Sequence, residues 1–253
     1  MNTYAIQTDW SNSQESQVRI ISPLTHNNNQ SEIILGLEYR LEAGWKTYWR
    51  SSGEGGFPQD INWELSENIE SIDILWPIPK YFEILGFTSI GYENEVIFPL
   101  KVIIKDSQKN AKLILDINYL TCKDICVPGS AYLELIIPTG EATYTENYFT
   151  IQKALSNVPK INSNNIGINN FNTIALENNE KISIIVSVQS SNKIKNPNFF
   201  LHSDFGLPPV KPVIQQSSNL KNIKAIFDFN KKIISKNNFI INIVFQDNNN
   251  IFE

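Results

Sequence analysis

The stretch Lys112–Ile137, which reads KLILDINYLTCKDICVPGSAYLELII, contains two β-type segments on either side of a short polar turn. Apolar residues alternate with polar ones or run on continuously in Lys112–Leu120 and in Tyr132–Ile137. This pattern is typical of β-strands. The stretch therefore predicts two strands that pair through a short loop.

The loop carries both cysteines of the chain, Cys122 and Cys126. A disulfide requires Cα atoms about 4.4 to 6.8 Å apart. Four residues in an extended strand would span roughly 13 Å. The chain must therefore fold back between the cysteines, which places the pair at the end of a β-hairpin.

Strand-like segments also lie on the N-terminal side of this hairpin, and turn signals separate them. Turns that contain Gly and Pro at short intervals are typical of an antiparallel sandwich, not of a parallel sheet. The first part of the chain is therefore predicted to be an antiparallel β-sandwich. The strand-like segments are Gln17–Ile21, Glu32–Leu41 and Val96–Ile104, and the turn signals include Ser52–Gly56 and Pro77–Pro79.

The pattern changes near Thr145. Tyr148, Ile151 and Leu155 recur at three- and four-residue spacing behind Thr145, a candidate N-cap, which predicts a short helix over residues 146–157.

The Asn-rich stretch 162–170 predicts a linker after this helix. Further strand-like segments then predict a second, smaller β-domain. We expect a sandwich over residues 1–142, a helix and linker over 143–170, and the second domain over 171–253. The second-domain segments are Thr173–Leu176, Lys181–Val188, Asn198–His202, Ile223–Phe229 and Phe239–Gln246.

Charge and hydropathy exclude several classes of function. The chain has 21 basic and 26 acidic residues, which argues against nucleic-acid binding. The longest apolar runs, Leu133–Ile137 and Phe239–Phe245, are far shorter than the roughly 20 residues of a transmembrane helix. Residues 2–9 lack the basic and apolar regions of a secretion signal, so the protein either stays in the cytoplasm or has lost such a signal.

The cysteine pair leaves three interpretations open. A structural bridge that closes about five residues would contribute only about 2 kcal/mol. A short accessible bridge is instead easily reduced and exchanged, which favours redox chemistry. Two thiolates could also hold Cu(I). The only histidines, His26 and His202, are expected at the surface or at strand edges, and we predict no metal site and no cofactor.

No other motif competes with the cysteines. The chain lacks a phosphate-binding Gly-rich loop, a Gly-x-Ser-x-Gly elbow and a His-Glu-x-x-His helix. One aromatic group, Trp45, Tyr48 and Trp49, could form a surface on which a sugar stacks. Because the group comes before a Gly-rich turn, it is more typical of residues in the core of a sandwich or residues that cover a sheet edge.

Four stretches, in the same order, resemble the N-terminal periplasmic domain of the thiol:disulfide interchange protein DsbD, and more closely its ScsB relatives, the suppressors of copper sensitivity. They are Gly44–Gly56, Trp76–Pro79, Gly86–Leu100 and Tyr119–Pro128. The resemblance implies an immunoglobulin-like sandwich. It also implies a cysteine pair that passes electrons from a membrane-embedded thiol transporter to thioredoxin-like periplasmic proteins, with a link to copper tolerance.

The resemblance also implies roles for individual residues. Cys122 and Cys126 would be the redox pair, with Cys122 as the attacking residue and the adjacent Lys123 aiding its thiolate. Ile84 or Leu85 would replace the aromatic cap residue of DsbD, and three residues separate the cysteines where DsbD has five. The implied cap segment is Phe82, Glu83, Ile84 and Leu85. Because a mixed disulfide brings two sulfurs to bonding distance, a partner must dock on the turn itself, and we expect Lys123, Asp124 and Ile125 to form the partner loop.

We therefore expect a periplasmic, monomeric thiol:disulfide oxidoreductase module of the protein-disulfide reductase type. The alternatives are an interaction module with a structural disulfide and a Cu(I)-binding periplasmic protein. The chain has no transmembrane electron-transfer domain and no Cys-x-x-Cys motif. It is either part of a larger membrane protein or receives electrons from separate polypeptides.

Overall fold

The chain separates into two compact units, each built mainly of antiparallel β-sheet. The first comprises Met1–Arg50, Gly56–Lys80 and Gly91–Val158, and the second Ser51–Gly55, Tyr81–Ile90 and Pro159–Glu253. The computed structural model describes residues 6–11, 13–53, 56–84, 86–161, 167–203, 207–208, 210–231, 240–248 and 250–253. The domain boundaries predicted from the sequence stay a prediction.

The first ten strands form two sheets. One sheet has the order β1-β2-β8-β5, and the other has the order β10-β9-β3-β7-β6, with β4 also paired to β9. The strands are β1 (Ser16–Ile21), β2 (Glu32–Leu41), β3 (Lys46–Gly53), β4 (Asp60–Asn62), β5 (Ile69–Ile74), β6 (Lys80–Ile84), β7 (Phe87–Glu93), β8 (Glu95–Ile104), β9 (Ala111–Cys122) and β10 (Cys126–Ile137).

Aromatic side chains join these two sheets into a sandwich. Tyr39 on β2 makes edge-on ring contacts with Phe98 on β8 at 5.5 Å and with Tyr119 on β9, across the sandwich, at 5.2 Å. All three side chains are almost completely buried. Edge-to-face pairs of this kind add to the stabilisation from apolar burial. The predicted immunoglobulin-like sandwich is confirmed.

The predicted helix is also confirmed, as α1 (Tyr148–Ser156), but its start differs from the prediction. Asn147 occupies the N-cap position, not Thr145. The Thr145 hydroxyl donates instead to the carbonyl oxygen of Ser22 at 2.6 Å. Thr145 therefore fastens the preceding segment to the end of β1, and the helix begins only after it. Ile151 is fully buried and anchors α1 on the sandwich.

The second unit contains two further sheets, with the orders β11-β12-β15-β14 and β13-β16-β17. Buried aromatic and β-branched side chains form its core, with Phe199, Phe227 and Phe245 fully buried. The strands are β11 (Ile168–Glu177), β12 (Lys181–Ser190), β13 (Asn198–Ser203), β14 (Val213–Gln216), β15 (Asn222–Asn230), β16 (Ile241–Gln246) and β17 (Ile251–Phe252). The predicted fold class includes a second β-domain after the sandwich, and this prediction is confirmed.

Two details of this unit depart from the sequence-based prediction. β11 begins at Ile168, inside the stretch predicted as linker, because it pairs with β12 from Ser190 onward despite its Asn content. The short strands β14 and β17 were not predicted. Phe239, the expected start of the last strand, lies outside the described residues.

In the part of the chain that the structure describes, the helix is too short and too polar to cross a bilayer.

Candidate redox site

The β9–β10 hairpin carries the cysteines, as their spacing predicts. The two strands pair in register from Ala111 opposite Ile137 to Cys122 opposite Cys126. Cys122 and Cys126 form a disulfide with their Cα atoms 4.1 Å apart. Within the loop, the Lys123 N–H donates to the carbonyl oxygen of Ile125 at 2.9 Å. The bridge therefore closes the last pair of a long antiparallel ladder.

The two sulfur-bearing residues differ in exposure. Cys122 is fully buried, whereas Cys126 is partly exposed. Lys123 and Asp124 are exposed, and Ile125 at the loop end is 62% exposed. A reagent or protein that approaches the hairpin end therefore meets the predicted partner loop and the Cys126 side of the bridge.

Tyr48 on β3 supplies a polar contact to the sulfurs. Its hydroxyl donates to Cys122 Sγ at 3.0 Å and lies 3.9 Å from Cys126 Sγ. The pairing of β3 with β9, with Lys46 opposite Cys122, brings Tyr48 to this position. The side chain is fully buried. A tyrosine hydroxyl in such a site needs a hydrogen-bond partner, and here the partner is sulfur.

Two glycines allow the backbone to pack closely around Tyr48. A Cβ atom on Gly56 would lie 2.3 to 2.5 Å from three atoms of the Tyr48 ring. A Cβ on Gly91 would lie 2.0 Å from the Thr47 carbonyl oxygen and 2.8 Å from Tyr48 Cα. Atoms at these distances overlap, so only glycine fits either position without displacement. The position of the Tyr48 hydroxyl therefore depends on two residues that lack a side chain.

Thr47, next to Tyr48, holds β3 against β9 by its side chain. Its hydroxyl donates to the carbonyl oxygen of Leu120 at 3.1 Å and accepts a hydrogen bond from Gln59 Nε2 at 3.0 Å. Thr47 is fully buried and Gln59 is 6% exposed. Buried hydrogen bonds of this kind fix the register between the two strands.

Lys123 lies over the turn between β2 and β3. Its ammonium group donates to the carbonyl oxygen of Ala43 at 3.2 Å. Gly44, in the same turn, has a φ of +84°, and a Cβ there would lie 3.0 Å from Lys123 Cε. The observed contact of the Lys123 charge is therefore with the backbone of the turn, where it ties down the hairpin loop.

The predicted cap segment lies at the end of β6. Phe82 is partly buried, Glu83 is exposed and Ile84 is 4% exposed. Leu85 lies outside the described residues. The next residue, Gly86, has a φ of +83°, the left-handed conformation that favours glycine in a tight turn. The shielding role of this segment stays a prediction.

The histidines lie in different units. His26 belongs to the first unit and contacts the Thr25 hydroxyl through Nδ1 at 3.0 Å, and His202 belongs to β13. Among the described residues, no group of three or more His, Cys, Asp or Glu side chains could hold a metal ion.

Tyr48 is a site residue whose role the sequence alone does not reveal. The sequence predicts that its aromatic group lies in the sandwich core or covers an edge, which agrees with the burial of Tyr48. The hydroxyl group is the signal that could have indicated this role. If burial alone mattered at a core position next to a cysteine hairpin, phenylalanine would be favoured over tyrosine.

The site is thus a disulfide at the end of a hairpin in an immunoglobulin-like sandwich, with a tyrosine hydroxyl hydrogen-bonded to one of the sulfurs. Residues 14–138 match the family described as thiol:disulfide interchange protein DsbD, N-terminal, and this part of the chain belongs to that family.

A solved structure resembles the whole chain. The N-terminal periplasmic domain of ScsB from Proteus mirabilis matches it with a TM-score of 0.75 and 21% sequence identity. The match covers 98% of this chain and 96% of that one, and it shows the fold. The chain matches none of the curated proteins with which it was compared.

Replacing Tyr48 with phenylalanine is expected to lower the reduction potential of the pair. A bonded sulfur is a weak acceptor, whereas a thiolate accepts a strong, charge-assisted hydrogen bond, so the hydroxyl stabilises the reduced form more. Loss of this hydrogen bond is expected to lower the reduction potential of the pair by about 30 mV, which corresponds to ~1.4 kcal/mol. Equilibration with glutathione buffers measures the shift.

The matched control is Tyr119→Phe, because the Tyr119 hydroxyl contacts Ser16 Oγ at 3.0 Å instead of sulfur. Equal shifts in the two variants would contradict the assigned role of Tyr48.

Proposed function

We propose that the chain passes electrons by dithiol–disulfide exchange at Cys122–Cys126, from a membrane-embedded thiol donor to thioredoxin-like acceptors in the periplasm. The observation that carries the proposal is a disulfide at an exposed hairpin end with a tyrosine hydroxyl 3.0 Å from one sulfur. The description of the ScsB relative as a periplasmic domain supports this compartment.

The steps balance without a cofactor. In the reduced module, the Cys126 thiolate attacks the acceptor's disulfide, an S–S bond forms between the proteins, and the acceptor's other sulfur leaves as a thiolate. The Cys122 thiolate then attacks Cys126 Sγ, and the acceptor leaves as a dithiol after protonation. Two electrons have passed to the acceptor. A donor dithiol reduces the module by the same steps in reverse.

Exposure supports Cys126 as the residue that bonds to the partner. Cys126 is partly exposed and Cys122 is fully buried, which reverses the assignment expected from the resemblance. When a donor thiolate attacks Cys126 Sγ, Cys122 is the leaving group. The Tyr48 hydroxyl then hydrogen-bonds the departing thiolate, and a stabilised thiolate leaves faster.

The hairpin itself argues against a purely structural bridge. Its strands pair along their whole length, from Ala111–Ile137 to Cys122–Cys126. A bridge across the last pair closes a loop of about five residues and adds only about 2 kcal/mol. Because the ladder already holds the strand ends together, the fold has little need of the covalent bond.

Trapping of the mixed disulfide tests the proposal. Cys122→Ser leaves Cys126 without its resolving partner, so it is expected to retain thioredoxin-fold proteins from a periplasmic extract through a bond that dithiothreitol breaks. Cys126→Ser leaves only the buried sulfur and is expected to capture much less. The captured proteins are identified by mass spectrometry.

Two outcomes contradict parts of this account. Preferential capture by Cys126→Ser would overturn the assignment of Cys126. If neither variant retains a thioredoxin-fold protein, the exchange function itself fails.

We further propose that the cap segment controls access to the sulfurs, since a reduced pair in an oxidising compartment needs protection from other oxidants. Replacing Ile84 and Leu85 with glycine is expected to accelerate alkylation of the reduced thiols. Ile69→Gly, which removes a side chain that is 2% exposed on β5, serves as the control for general destabilisation. Alkylation rates equal to wild type in the cap variant would end the shielding proposal.

A further inference from the structure

The hairpin loop, residues 123–125, is attached to the rest of the sandwich by one side chain. The Lys123 ammonium group donates to the carbonyl oxygen of Ala43 at 3.2 Å, in the turn between β2 and β3. Asp124 and Ile125 are exposed. Among the residues that the structure describes, Asp124 makes no side-chain hydrogen bond and no ion pair. Lys123 therefore supplies the polar side-chain contact between this loop and the described part of the sandwich.

The turn that accepts this hydrogen bond is itself held in place. The Trp45 N–H donates to the carbonyl oxygen of Glu42 at 2.9 Å and closes the turn. The Lys46 ammonium group donates to the carbonyl oxygen of Gly44 at 3.1 Å. A Cβ on Gly44 would lie 3.0 Å from Lys123 Cε, so the stem of Lys123 passes directly over this glycine. The loop is thus bound to a closed turn of the same unit.

The turn and the loop both adjoin the disulfide. Cys122 pairs with Cys126 on one side and with Lys46 on the other. The end of a ladder opens more easily than its middle. The S–S bond closes this end in the oxidised protein. Once the bond is reduced, a movement of the loop away from the turn would separate the two sulfurs and would break the Lys123–Ala43 hydrogen bond.

Lys123 could affect the sulfurs by its charge or by this attachment, and the two effects have opposite signs. A cation that stabilises a thiolate favours the reduced pair and raises the reduction potential. An attachment that keeps two thiols together favours the disulfide and lowers the reduction potential, because the bond forms between groups already in place. The observed hydrogen bond to Ala43 supports the second effect.

We propose that Lys123 is a positioning residue that holds the hairpin loop on the turn between β2 and β3, so that Cys122 stays in place to attack the mixed disulfide on Cys126 and release the partner. The inference rests on the proposed function, and it replaces the expected role of Lys123 as an aid to the Cys122 thiolate.

Lys123→Met tests the inference at equilibrium, because it keeps an unbranched stem over Gly44 and removes the ammonium group. We expect the equilibrium constant for disulfide formation to fall roughly two- to fivefold, as loss of one exposed hydrogen bond gives. This change corresponds to a rise of about 10 to 20 mV in the reduction potential. Equilibration of the whole chain with glutathione buffers measures it.

The rate of resolution gives a second measurement on the same variant. In the reduced protein, the Cys126 thiolate attacks glutathione disulfide, an S–S bond to one glutathione forms, and the other glutathione leaves as a thiolate. The Cys122 thiolate then attacks Cys126 Sγ, and the bound glutathione leaves. Acid quenching and mass spectrometry follow this second step. We expect Lys123→Met to slow it roughly two- to fivefold, the factor expected at equilibrium.

Lys46→Met is the matched control. It removes an ammonium group from the next carbonyl of the same turn, at the position opposite Cys122, but leaves the Lys123–Ala43 hydrogen bond. An effect of charge alone would lower the potential in both variants. A lowered or unchanged potential in Lys123→Met, an unchanged rate of resolution, or an equal rise of the potential in Lys46→Met would overturn the inference.

Glutathione exchanges with the pair whether or not a protein partner exists. These results therefore refute the role of Lys123 alone, whereas failed trapping of thioredoxin-fold proteins refutes the exchange function alone.

Discussion

Replacing Cys122 and Cys126 together with alanine is expected to abolish thiol–disulfide exchange while lowering the free energy of unfolding by only about 2 kcal/mol. The exchange step requires both sulfurs, so no residual activity is expected above background. The small stability change follows from the position of the bridge at the end of an already paired hairpin. Insulin reduction assays coupled to a thioredoxin-like protein measure the first effect, and urea unfolding measures the second.

The control is the reduced wild-type protein, whose unfolding free energy is expected to match that of the double variant. A loss of about 5 kcal/mol, near the upper limit measured for native disulfides, would assign the bridge a structural role instead.

Gly91→Ala is expected to have the largest effect on stability of any single methyl group added to the sandwich. The new Cβ would lie 2.0 Å from the Thr47 carbonyl oxygen and 2.8 Å from Tyr48 Cα, both backbone atoms. Backbone cannot rotate away as a side chain does, so β7 must move from β3. Overpacking of this kind costs about 3 kcal/mol. Because Tyr48 moves as well, the reduction potential is expected to change with stability.

Gly86→Ala provides the comparison. Among the residues that the structure describes, and apart from its chain neighbours, a Cβ there meets no atom within 4 Å, and the left-handed φ of +83° costs about 1 kcal/mol. Denaturation midpoints that fall equally in the two variants would contradict the close approach of β7 to Tyr48.

The hairpin could be predicted from the sequence because the residues that determine it lie close together in the chain. Lys112–Leu120 and Tyr132–Ile137 have strand patterns, and the cysteine spacing requires a reversal between them. The spacing of apolar residues likewise predicts the helix near residue 150, but it does not predict the residue at the N-cap. Thr145 uses its hydroxyl for Ser22, which is far away in the sequence.

The contact between Tyr48 and Cys122 could not be predicted in this way. It depends on the register between β3 and β9, strands separated by more than fifty residues, and on the glycines that admit the ring. The position of the sulfurs can therefore be predicted from the sequence, but the hydroxyl that binds Cys122 cannot.

The second unit shows the limits of strand patterns. β11 contains several Asn residues and is largely exposed, so its pairing with β12 is visible only in the register. β14 and β17 are too short for alternation to be detected. The hydrogen bond from the Tyr81 hydroxyl to the Phe199 carbonyl oxygen on β13 joins residues more than one hundred positions apart, and no local pattern indicates it.

The most direct test of the account is an equilibrium redox titration of the Cys122–Cys126 pair against dithiothreitol and glutathione buffers, with the thiol content measured by alkylation and mass spectrometry. The exchange function predicts a reversible midpoint above about -300 mV, in the range in which protein thiols exchange with one another. A pair that stays fully oxidised far below about -300 mV would show that the disulfide is structural and would contradict the proposed electron transfer.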